Sequence, residues 1–415
     1  MIDGIKPQKP SPTTLKRPKL TLQPDPPKSA FRPPEEVAAL EEALPSSTAP
    51  AFSNPPPKTP RFAPINWFED LSKKGKAAVI LVILLMLGGI IFGIKTLSAK
   101  PAPVPVVKVE EKKVEKPKPV PIFSPLTGVA VTKEQSELPV TGIMIENSPD
   151  SRPQAGLNEA GVVFEAIAEG GITRFLTLWQ ESQPDYVGPV RSVRPYYLDW
   201  LQGFDAAIAH VGGSAEALAK IRSEGVKDMD QFFNTGPYRR VNNRYAPHNV
   251  YTSLPALVDL QKSKGWTKSS FTSFPRKIEK PSEAPTARSV DIVVSGALYN
   301  VHYDYDLASN SYKRVLGGKP HLDERSKAQL SPKVVIAMVI PYSIHADRIH
   351  SVYQTLGSGT TYIFQDGNFT QGTWTKTSAK AQIIFNDAAG KPIPLNAGQT
   401  WVTATSIANN VTYKP

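Results

Sequence analysis

The sequence predicts a membrane protein with a disordered N-terminal tail and one transmembrane helix. The folded part is predicted to begin with an α/β (α+β) domain and to continue with a mostly β domain. Three observations predict this arrangement: a proline-rich polar segment opens the chain, one long uncharged run follows, and short apolar runs fill the remainder. In the first half of that remainder the apolar runs alternate with helical patterns, whereas in the second half turns separate them. The first pattern is typical of layered α/β folds and the second of β folds.

Residues 1–72 are rich in proline and polar side chains, as in QPDPPKSAFRPP and SNPPPKTP. A segment of this composition buries too little apolar surface to offset the entropy lost on ordering, so we predict a disordered tail. The run PEEVAALEEAL at 34–44 allows one transient helix within it. We interpret the tail as a spacer, and recognition of its prolines by a protein partner is the alternative.

Residues 77–94 read AAVILVILLMLGGIIFGI and carry no charge. As a helix this run is roughly 27 Å long at about 1.5 Å per residue. If Lys95 snorkels, the helix extends to Leu97, and we predict a single transmembrane helix at 77–97. A surface helix of a soluble domain would show a polar face, which this run lacks.

Lysines stand on both sides of the predicted transmembrane helix. Lys73, Lys74 and Lys76 precede it and favour a cytoplasmic tail, but several lysines also follow it, so charge alone does not decide the orientation. We expect the tail in the cytoplasm and the large C-terminal part outside the membrane. Residues 98–122 are rich in Pro, Lys and Glu, a composition typical of extended linkers.

The first folded domain is predicted at 123–275. Its short apolar runs TGIMIEN, GVVFEAIA, TRFLTLWQ and DAAIAHVGG predict strands, since several are enriched in β-branched and aromatic residues. RPYYLDWLQGF at 194–204 has apolar residues at helical spacing. SAEALAKIRSEG at 214–225 starts with a serine N-cap and ends at glycine, and SLPALVDLQKSKG at 253–265 repeats that pattern. We therefore predict helices at these three segments.

The second folded domain is predicted at 286–415. The runs SVDIVVSG, YNVHYDYD, KVVIAMVI, TTYIFQDG, AQIIFND and TWVTATSI are separated by turn sequences such as DGN and AGK. This regular succession of strands and turns predicts a mostly β domain.

The segment at 170–214 is the strongest candidate for a functional site. Arg174, Arg191 and Arg194 each lie near a glycine or a proline inside an otherwise apolar stretch. Glycine permits close backbone approach and proline stiffens a turn, so these cations are expected on rigid backbone, as in a fixed anion site. Pairing with nearby carboxylates is the structural alternative, and both interpretations stay open.

Three acidic residues are the candidate partners of those arginines. Glu146 follows a predicted strand and precedes the turn SPDSRP, a position where both ligand-binding carboxylates and turn caps occur. Glu165 lies inside an apolar strand, so if it is buried it needs a partner, and arginine is the natural one. Glu169 follows at the end of the same run.

Two further groups extend the candidate anion site. Gly212, Gly213 and Ser214 lead into a predicted helix whose first N–H groups can cradle an anion, although two glycines before a helix are common. The loop PYRRVNNRYAPHN supplies Arg244 and His248. Solvation alone also explains a basic loop of this kind, so this interpretation stays open as well.

The composition excludes several classes of function. The 415 residues include no cysteine, which excludes disulfides, thiolate metal sites, cysteine nucleophiles and a lipid anchor on cysteine. The net charge of +11 is spread without basic runs interleaved with aromatics, so we do not expect nucleic-acid binding. GxSxG, HExxH, P-loop and strand-borne GxGxxG motifs do not occur, and the six histidines show no metal-ligand spacing.

A set of ordered segments resembles the YerB-like family over nearly all of residues 123–415. The segments are PLTG, MIENSPDSRPQAGL, EGGITRF, GPVRSVRP, HVGGS and APHNVYTS, with GSGT and GKPIPLNAGQTW nearer the C-terminus. This bacterial family has no known function, and its members are often envelope lipoproteins. The resemblance implies a location at the bacterial cell membrane, outside the cytoplasm, and supplies no catalytic residues. The predicted transmembrane helix would replace the lipoprotein anchor, which needs a cysteine.

Three functional hypotheses follow. The first is a single-pass protein whose outer part binds an anionic cell-wall or lipid-linked ligand. The second rests on a layout similar to that of the LytR-CpsA-Psr phosphotransferases, which implies phosphate on Arg174, Arg191 and Arg194 and a divalent metal such as magnesium on Glu146 or Glu165. The third is a scaffold that links protein partners across the membrane. Whether the protein is an enzyme stays open at this point.

Overall fold

The structure is a computed structural model and describes residues 71–97 and 120–415. Helix α1 (Lys73–Leu97) belongs to one unit, and the described residues from 120 onwards belong to a second, compact unit. Most of the tail predicted at 1–72 and of the linker predicted at 98–122 lies outside the described residues.

The prediction of a membrane crossing at 77–97 has to be corrected. Among the described residues, no helix is both long and apolar enough to span a bilayer. A transmembrane helix, and with it the single-pass topology, is therefore not supported.

The second unit contains short helices and many strands. The helices are α2 (Lys133–Ser136), α3 (Pro195–Gln202), α4 (Ala215–Glu224) and α5 (Leu254–Ser263), with 3-10 turns at Pro149–Ser151, Leu157–Glu159 and Ala408–Asn410. The strands are β1 (Ile122–Phe123), β2 (Ala130–Val131), β3 (Thr141–Glu146), β4 (Val162–Glu169), β5 (Ile172–Trp179), β6 (Ala207–His210), β7 (Asp228–Asp230), β8 (Tyr238–Arg240), β9 (Val250–Thr252), β10 (Arg276–Lys277), β11 (Ser289–Ile292), β12 (Val301–Asp306), β13 (Ser311–Leu316), β14 (Lys319–Pro320), β15 (Val334–Val339), β16 (Tyr342–Ile344), β17 (Ser351–Tyr353), β18 (Gly357–Gln365), β19 (Asn368–Lys376), β20 (Ile384–Asn386), β21 (Leu395–Asn396), β22 (Thr400–Thr405) and β23 (Val411–Lys414).

Within residues 120–415 the central feature is a ten-stranded sheet in the order β20-β19-β18-β15-β22-β4-β5-β3-β6-β7. Strands β15, β22 and β4 are parallel neighbours, and so are β3, β6 and β7. Strand β5 lies between β4 and β3 and is antiparallel to both. All six parallel strands therefore end at the same side of the sheet, which we name the carboxyl edge.

The predicted fold class is wrong, because the folded part is mostly β and its helices are few and short. The helices expected at 194–204, 214–225 and 253–265 are confirmed as α3, α4 and α5, and none exceeds ten residues. Strand β4 of the first half pairs directly with β22 of the second half, so both halves contribute to one sheet. Both strands are almost wholly buried, as strands inside a covered sheet must be.

Successive side chains of the central strands alternate between two buried apolar clusters, which shows that both faces of the sheet are covered. On β3, Met144 belongs to one cluster, and Ile143 and Ile145 belong to the other. Helices α3 and α4 and the five-stranded sheet β14-β13-β12-β11-β23 contribute to the first cluster, and α5 contributes to the second. This packing leaves the loops at the carboxyl edge free to form a site.

Candidate functional site

Glu146 ends strand β3 at the carboxyl edge and gathers basic side chains around its buried carboxylate. Its Oε2 lies 2.9 Å from Nδ1 of His248, and its Oε1 lies 3.2 Å from Nε of Arg191. The hydroxyl of Ser148 donates to Oε1 at 3.0 Å. The carboxylate thus holds two basic side chains from different loops at one point, and both were candidates from the sequence.

The backbone explains why Arg191 and His248 meet there. The amide of Arg191 donates to the carbonyl of Met144 on β3 at 2.9 Å. The preceding residue, Val190, donates to the carbonyl of Val250 at the start of β9 at 2.7 Å. His248 lies two residues before that strand, so the same short ladder places both side chains beside the end of β3.

Arg191 keeps part of its hydrogen-bonding capacity unused. Its Nε lies 3.2 Å from Oε1 of Glu146 but is a buried atom without a hydrogen bond, and neither terminal nitrogen has a hydrogen-bond partner among the described residues. The side chain of Arg191 is 23% exposed and that of His248 is 22% exposed. Both groups are therefore held from one side by Glu146 and remain accessible from the other.

A cleft of about 610 Å³ adjoins this cluster, and we name it the basic cleft. Its lining residues are Asp150, Arg152, Asn243, Arg244, Tyr245, Ala246 and His248. Arg244 anchors the loop that forms one wall: Nη1 donates to the carbonyl of Asp150 at 2.9 Å and Nη2 donates to that of Pro153 at 2.6 Å. Nη2 also lies 3.5 Å from the carboxylate of Glu324.

Arg152 is a member of the basic cleft that the sequence interpretation missed. Its guanidinium donates to Oδ1 and the carbonyl of Asn147 and to the carbonyl of Leu298, and it lies 5.1 Å from the centre of the Tyr299 ring. Among the described residues it has no carboxylate within ion-pair distance, and burial lowers its pKa. The sequence contained a signal for it, because Arg152 precedes a proline in the turn after β3, as the candidate arginines also lie near a glycine or a proline.

The other two predicted arginines form a separate ion-pair cluster. Nη2 of Arg174 lies 2.7 Å from Oε1 of Glu169, and Nη2 of Arg194 donates to Oε2 of the same carboxylate. Nη1 of Arg174 also donates to the carbonyl of Ser192 at 2.7 Å. Glu169 thus engages both arginines, the arrangement that the structural alternative describes.

The segment at Gly212, Gly213 and Ser214 has its polar groups already engaged. The amide of Gly212 donates to Asp230 at 3.0 Å, and the hydroxyl of Ser214 accepts from the amide of Ala217 as the N-cap of α4. Gly213 is required for close packing, because a Cβ there would lie 2.8 Å from Cγ1 of Val193. The structure therefore explains this segment through capping and packing.

Glu165 lies away from the basic cleft, in a fully buried polar network. Its Oε2 accepts from Nη2 of Arg314 at 2.7 Å and from the indole of Trp401 at 3.1 Å, and its Oε1 accepts from Thr173 at 3.2 Å. Its arginine partner is Arg314, which is not one of the three arginines with which the sequence interpretation paired it. The partner lies 149 residues further along the chain.

His321 completes this network on the other side of Arg314. Nε of Arg314 donates to Nδ1 of His321 at 3.0 Å, and Nε2 of His321 lies 2.9 Å from Oε1 of Gln154. Burial, together with the guanidiniums of Arg314 and Arg152, lowers the pKa of His321 well below its usual range. The ring is therefore a neutral link between strands.

Comparisons with known proteins identify the family. The family model described as "Protein of unknown function (DUF3048) N-terminal domain" matches residues 126–267, and the one described as "Protein of unknown function (DUF3048) C-terminal domain" matches residues 290–402. The chain belongs to the DUF3048 family. The resemblance to YerB-like proteins expected from the sequence motifs is thereby confirmed.

Two comparisons with YerB of Bacillus subtilis, one by sequence and one by structure, extend this finding. The chain is 30% identical over 284 residues to "Putative lipoprotein YerB" of Bacillus subtilis (strain 168), an alignment that covers 67% of this chain and 85% of that protein. It is also similar to the crystal structure of the YerB protein from Bacillus subtilis, with a TM-score of 0.65 and 26% identity. That match covers 71% of this chain and 100% of the crystallised chain.

Both matched regions of the DUF3048 family contribute to the same buried network. Glu165 lies in the N-terminal match, and Arg314, His321 and Trp401 lie in the C-terminal match. The basic cleft, in contrast, is built entirely from residues of the N-terminal match.

The magnesium site expected at Glu146 or Glu165 stays a prediction. In residues 71–97 and 120–415, no group of three or more histidine or carboxylate side chains is placed to hold a metal ion. The two proposed ligands also lie apart, since Glu146 binds Arg191 and His248 whereas Glu165 binds Arg314.

We predict that the cluster around Glu169 contributes a pH-dependent part of the stability. Burial alone would raise the pKa of Glu169, but Arg174 and Arg194 outweigh it and lower the pKa below the ordinary value of 4.5. The folded state therefore binds this proton more weakly than the unfolded state. The stabilisation is fully present above about pH 4.5 and is lost as the pH falls through the folded pKa.

Urea titrations of the wild type and Glu169→Gln between pH 7 and pH 3 measure this effect. We expect the variant to be less stable at pH 7, and the difference between the two proteins to shrink as the pH falls below 4.5. A difference that stays constant across this range would contradict the assignment.

Proposed function

We propose that this protein acts at the bacterial cell envelope and binds an anionic cell-wall or lipid-linked ligand in the basic cleft. A relative whose name describes a lipoprotein supports the envelope location, because lipoproteins are attached to membranes. The geometry around Glu146 supports the binding site. Arg244 and His248 line the basic cleft, and Arg191 lies beside it on the Glu146 carboxylate that it shares with His248. These three residues are expected to contact the ligand.

The observation that carries the proposal is the state of Arg191. Its Nε is a buried atom without a hydrogen bond, and neither terminal nitrogen has a hydrogen-bond partner among the described residues. A guanidinium presents its donors in a planar fork that matches the oxygens of a phosphate or a carboxylate. An anionic ligand would therefore complete the hydrogen bonding that the protein leaves unfilled.

The site also has the rigidity that anion binding favours. The carboxylate of Glu146 holds Arg191 and His248 through ion pairs. The guanidinium of Arg244 is held by hydrogen bonds to two backbone carbonyls. Side chains held in this way lose little further entropy when a ligand arrives. Arg152 adds a cation that no described carboxylate neutralises.

Isothermal titration of the full-length protein with inorganic pyrophosphate tests the proposal. We expect Arg191→Ala to weaken binding by about 10- to 100-fold, the range of a hydrogen bond to a charged group. Arg222→Ala is the matched control, because Arg222 is exposed on α4 outside the basic cleft, and we expect it to bind like the wild type. Equal affinity of Arg191→Ala and wild type would overturn the proposed site.

A further inference from the structure

Tyr245 stands on the rim of the basic cleft in an unusual state for a large aromatic residue. Its side chain is 91% exposed, and among the described residues it has neither an aromatic neighbour nor a hydrogen bond to its hydroxyl. Exposed aromatic rings of this kind cost solvation free energy, since their apolar faces stay in contact with water. A ring at the rim of a cleft is in a position to cover part of a ligand.

The loop that carries Tyr245 is fixed on both sides of this residue. The guanidinium of Arg244 donates to the carbonyls of Asp150 and Pro153, and the amide of His248 donates to the carbonyl of Tyr245 at 2.9 Å. The side chain of His248 is in turn held by Glu146. The ring is therefore mounted on an ordered support, which lowers the entropy cost of stacking against it.

One acidic and one neutral side chain of the basic cleft also make no hydrogen bond to a described residue. The carboxylate of Asp150 and the amide of Asn243 are exposed and have no hydrogen-bond partner among the described residues. A carboxylate accepts hydrogen bonds, and an amide both donates and accepts them. Inorganic phosphate uses neither a carboxylate nor an aromatic face, so the cleft offers more than a simple anion needs.

We infer that the anion bound by this protein is attached to a sugar ring, which stacks on Tyr245 while its hydroxyls bind Asp150 and Asn243. This inference rests on the proposed function and specifies its ligand as a phosphorylated sugar. The C–H face of a sugar is apolar and fits an aromatic ring, and its hydroxyls match the carboxylate and amide groups. Arg244 and His248, which line the basic cleft, and Arg191 beside them take the phosphate.

Titration of the full-length protein with N-acetylglucosamine 1-phosphate and with inorganic phosphate tests the inference. We expect the sugar phosphate to bind about three- to tenfold more tightly than phosphate, the range of one aromatic stacking contact. Tyr245→Ala should remove this gain and leave the affinity for phosphate unchanged, whereas Tyr245→Phe should retain it. Phe233→Ala is the control, because Phe233 is 85% exposed and lies outside the basic cleft.

The outcomes distinguish failure of the sugar-phosphate inference from failure of the proposed anion site. If phosphate binds through Arg191 and the sugar adds no affinity, the inference is overturned and the proposed function stands. If a nucleoside monophosphate gains as much from Tyr245 as the sugar phosphate does, the ring recognised is a base and the inference is overturned. If neither anion binds, or Arg191→Ala changes neither affinity, the proposed function and the inference both fail.

Discussion

Replacement of Glu165 by alanine is expected to lower the free energy of unfolding by about 3–5 kcal/mol. The side chains of Glu165 and Arg314 are both fully buried, and Oε2 of Glu165 lies 2.7 Å from Nη2 of Arg314. Removal of the carboxylate leaves a guanidinium without its counter-charge in a site that water does not reach, and that cost exceeds the loss of one hydrogen bond. Urea unfolding followed by tryptophan fluorescence measures the change.

The effect should extend through the network rather than stop at one pair. Trp401 donates its indole N–H to the same carboxylate, and Arg314 lies 4.2 Å from the centre of the Trp401 ring. His321 accepts from Arg314 on the far side. Loss of Glu165 therefore leaves at least two buried donors without an acceptor, which raises the cost above that of a surface ion pair.

Two further variants make this prediction specific. In the double variant Glu165→Leu with Arg314→Met, both charges are absent, and we expect it to be more stable than Glu165→Ala. Glu283→Ala is the matched control, because Glu283 is exposed, and it should change the stability by less than about 0.5 kcal/mol. A loss below about 1 kcal/mol for Glu165→Ala would contradict the buried pair.

Replacement of Trp374 by alanine is expected to cost about 3–5 kcal/mol of stability. Trp374 lies on strand β19, is 1% exposed and donates its indole N–H to the carbonyl of Val339 at 2.9 Å. Its ring packs over Gly359 so closely that a Cβ there would lie 2.7 Å from Nε1. The substitution leaves a cavity and an unpaired carbonyl, and neighbouring residues have little freedom to fill the space.

The loss of Trp374 is expected to destabilise the whole sheet and not only the strands around it. Strand β19 belongs to the same ten-stranded sheet as β3 and β4, so we expect Trp374→Ala to lower the protection of β3 amides against hydrogen exchange. Trp266→Ala is the control, since Trp266 is only partly buried, and its cost should be smaller. Loss of protection confined to β18, β19 and β20 would contradict a shared cooperative unit.

The elements that the sequence predicted well are those whose signals are local. Helix α4 begins at the Ser214 cap and ends at Gly225, and helix α5 begins at the Ser253 cap, as their sequences indicate. The capping contacts join residues three apart, so a short window contains the whole interaction. The apolar runs of β3, β4 and β5 are likewise visible in the sequence.

The partners of those elements were not predictable in the same way. Strand β4 has the composition of a buried strand whatever its neighbour is, and its neighbour β22 begins more than two hundred residues later. The sequence placed these two strands in different domains, whereas they are neighbours in one sheet. Transmembrane character was inferred from hydropathy alone, and the described residues of α1 do not support it.

The sequence by itself determined the family, the helix caps, the apolar strands and several of the basic residues near the carboxyl edge, but not Arg152. The tertiary structure decided which carboxylate each arginine meets: Arg191 meets Glu146, Arg174 and Arg194 share Glu169, and Glu165 meets Arg314. The physical reason is that an ion pair depends on a distance of a few ångströms in space. Only the pairing of strands from distant parts of the chain sets that distance.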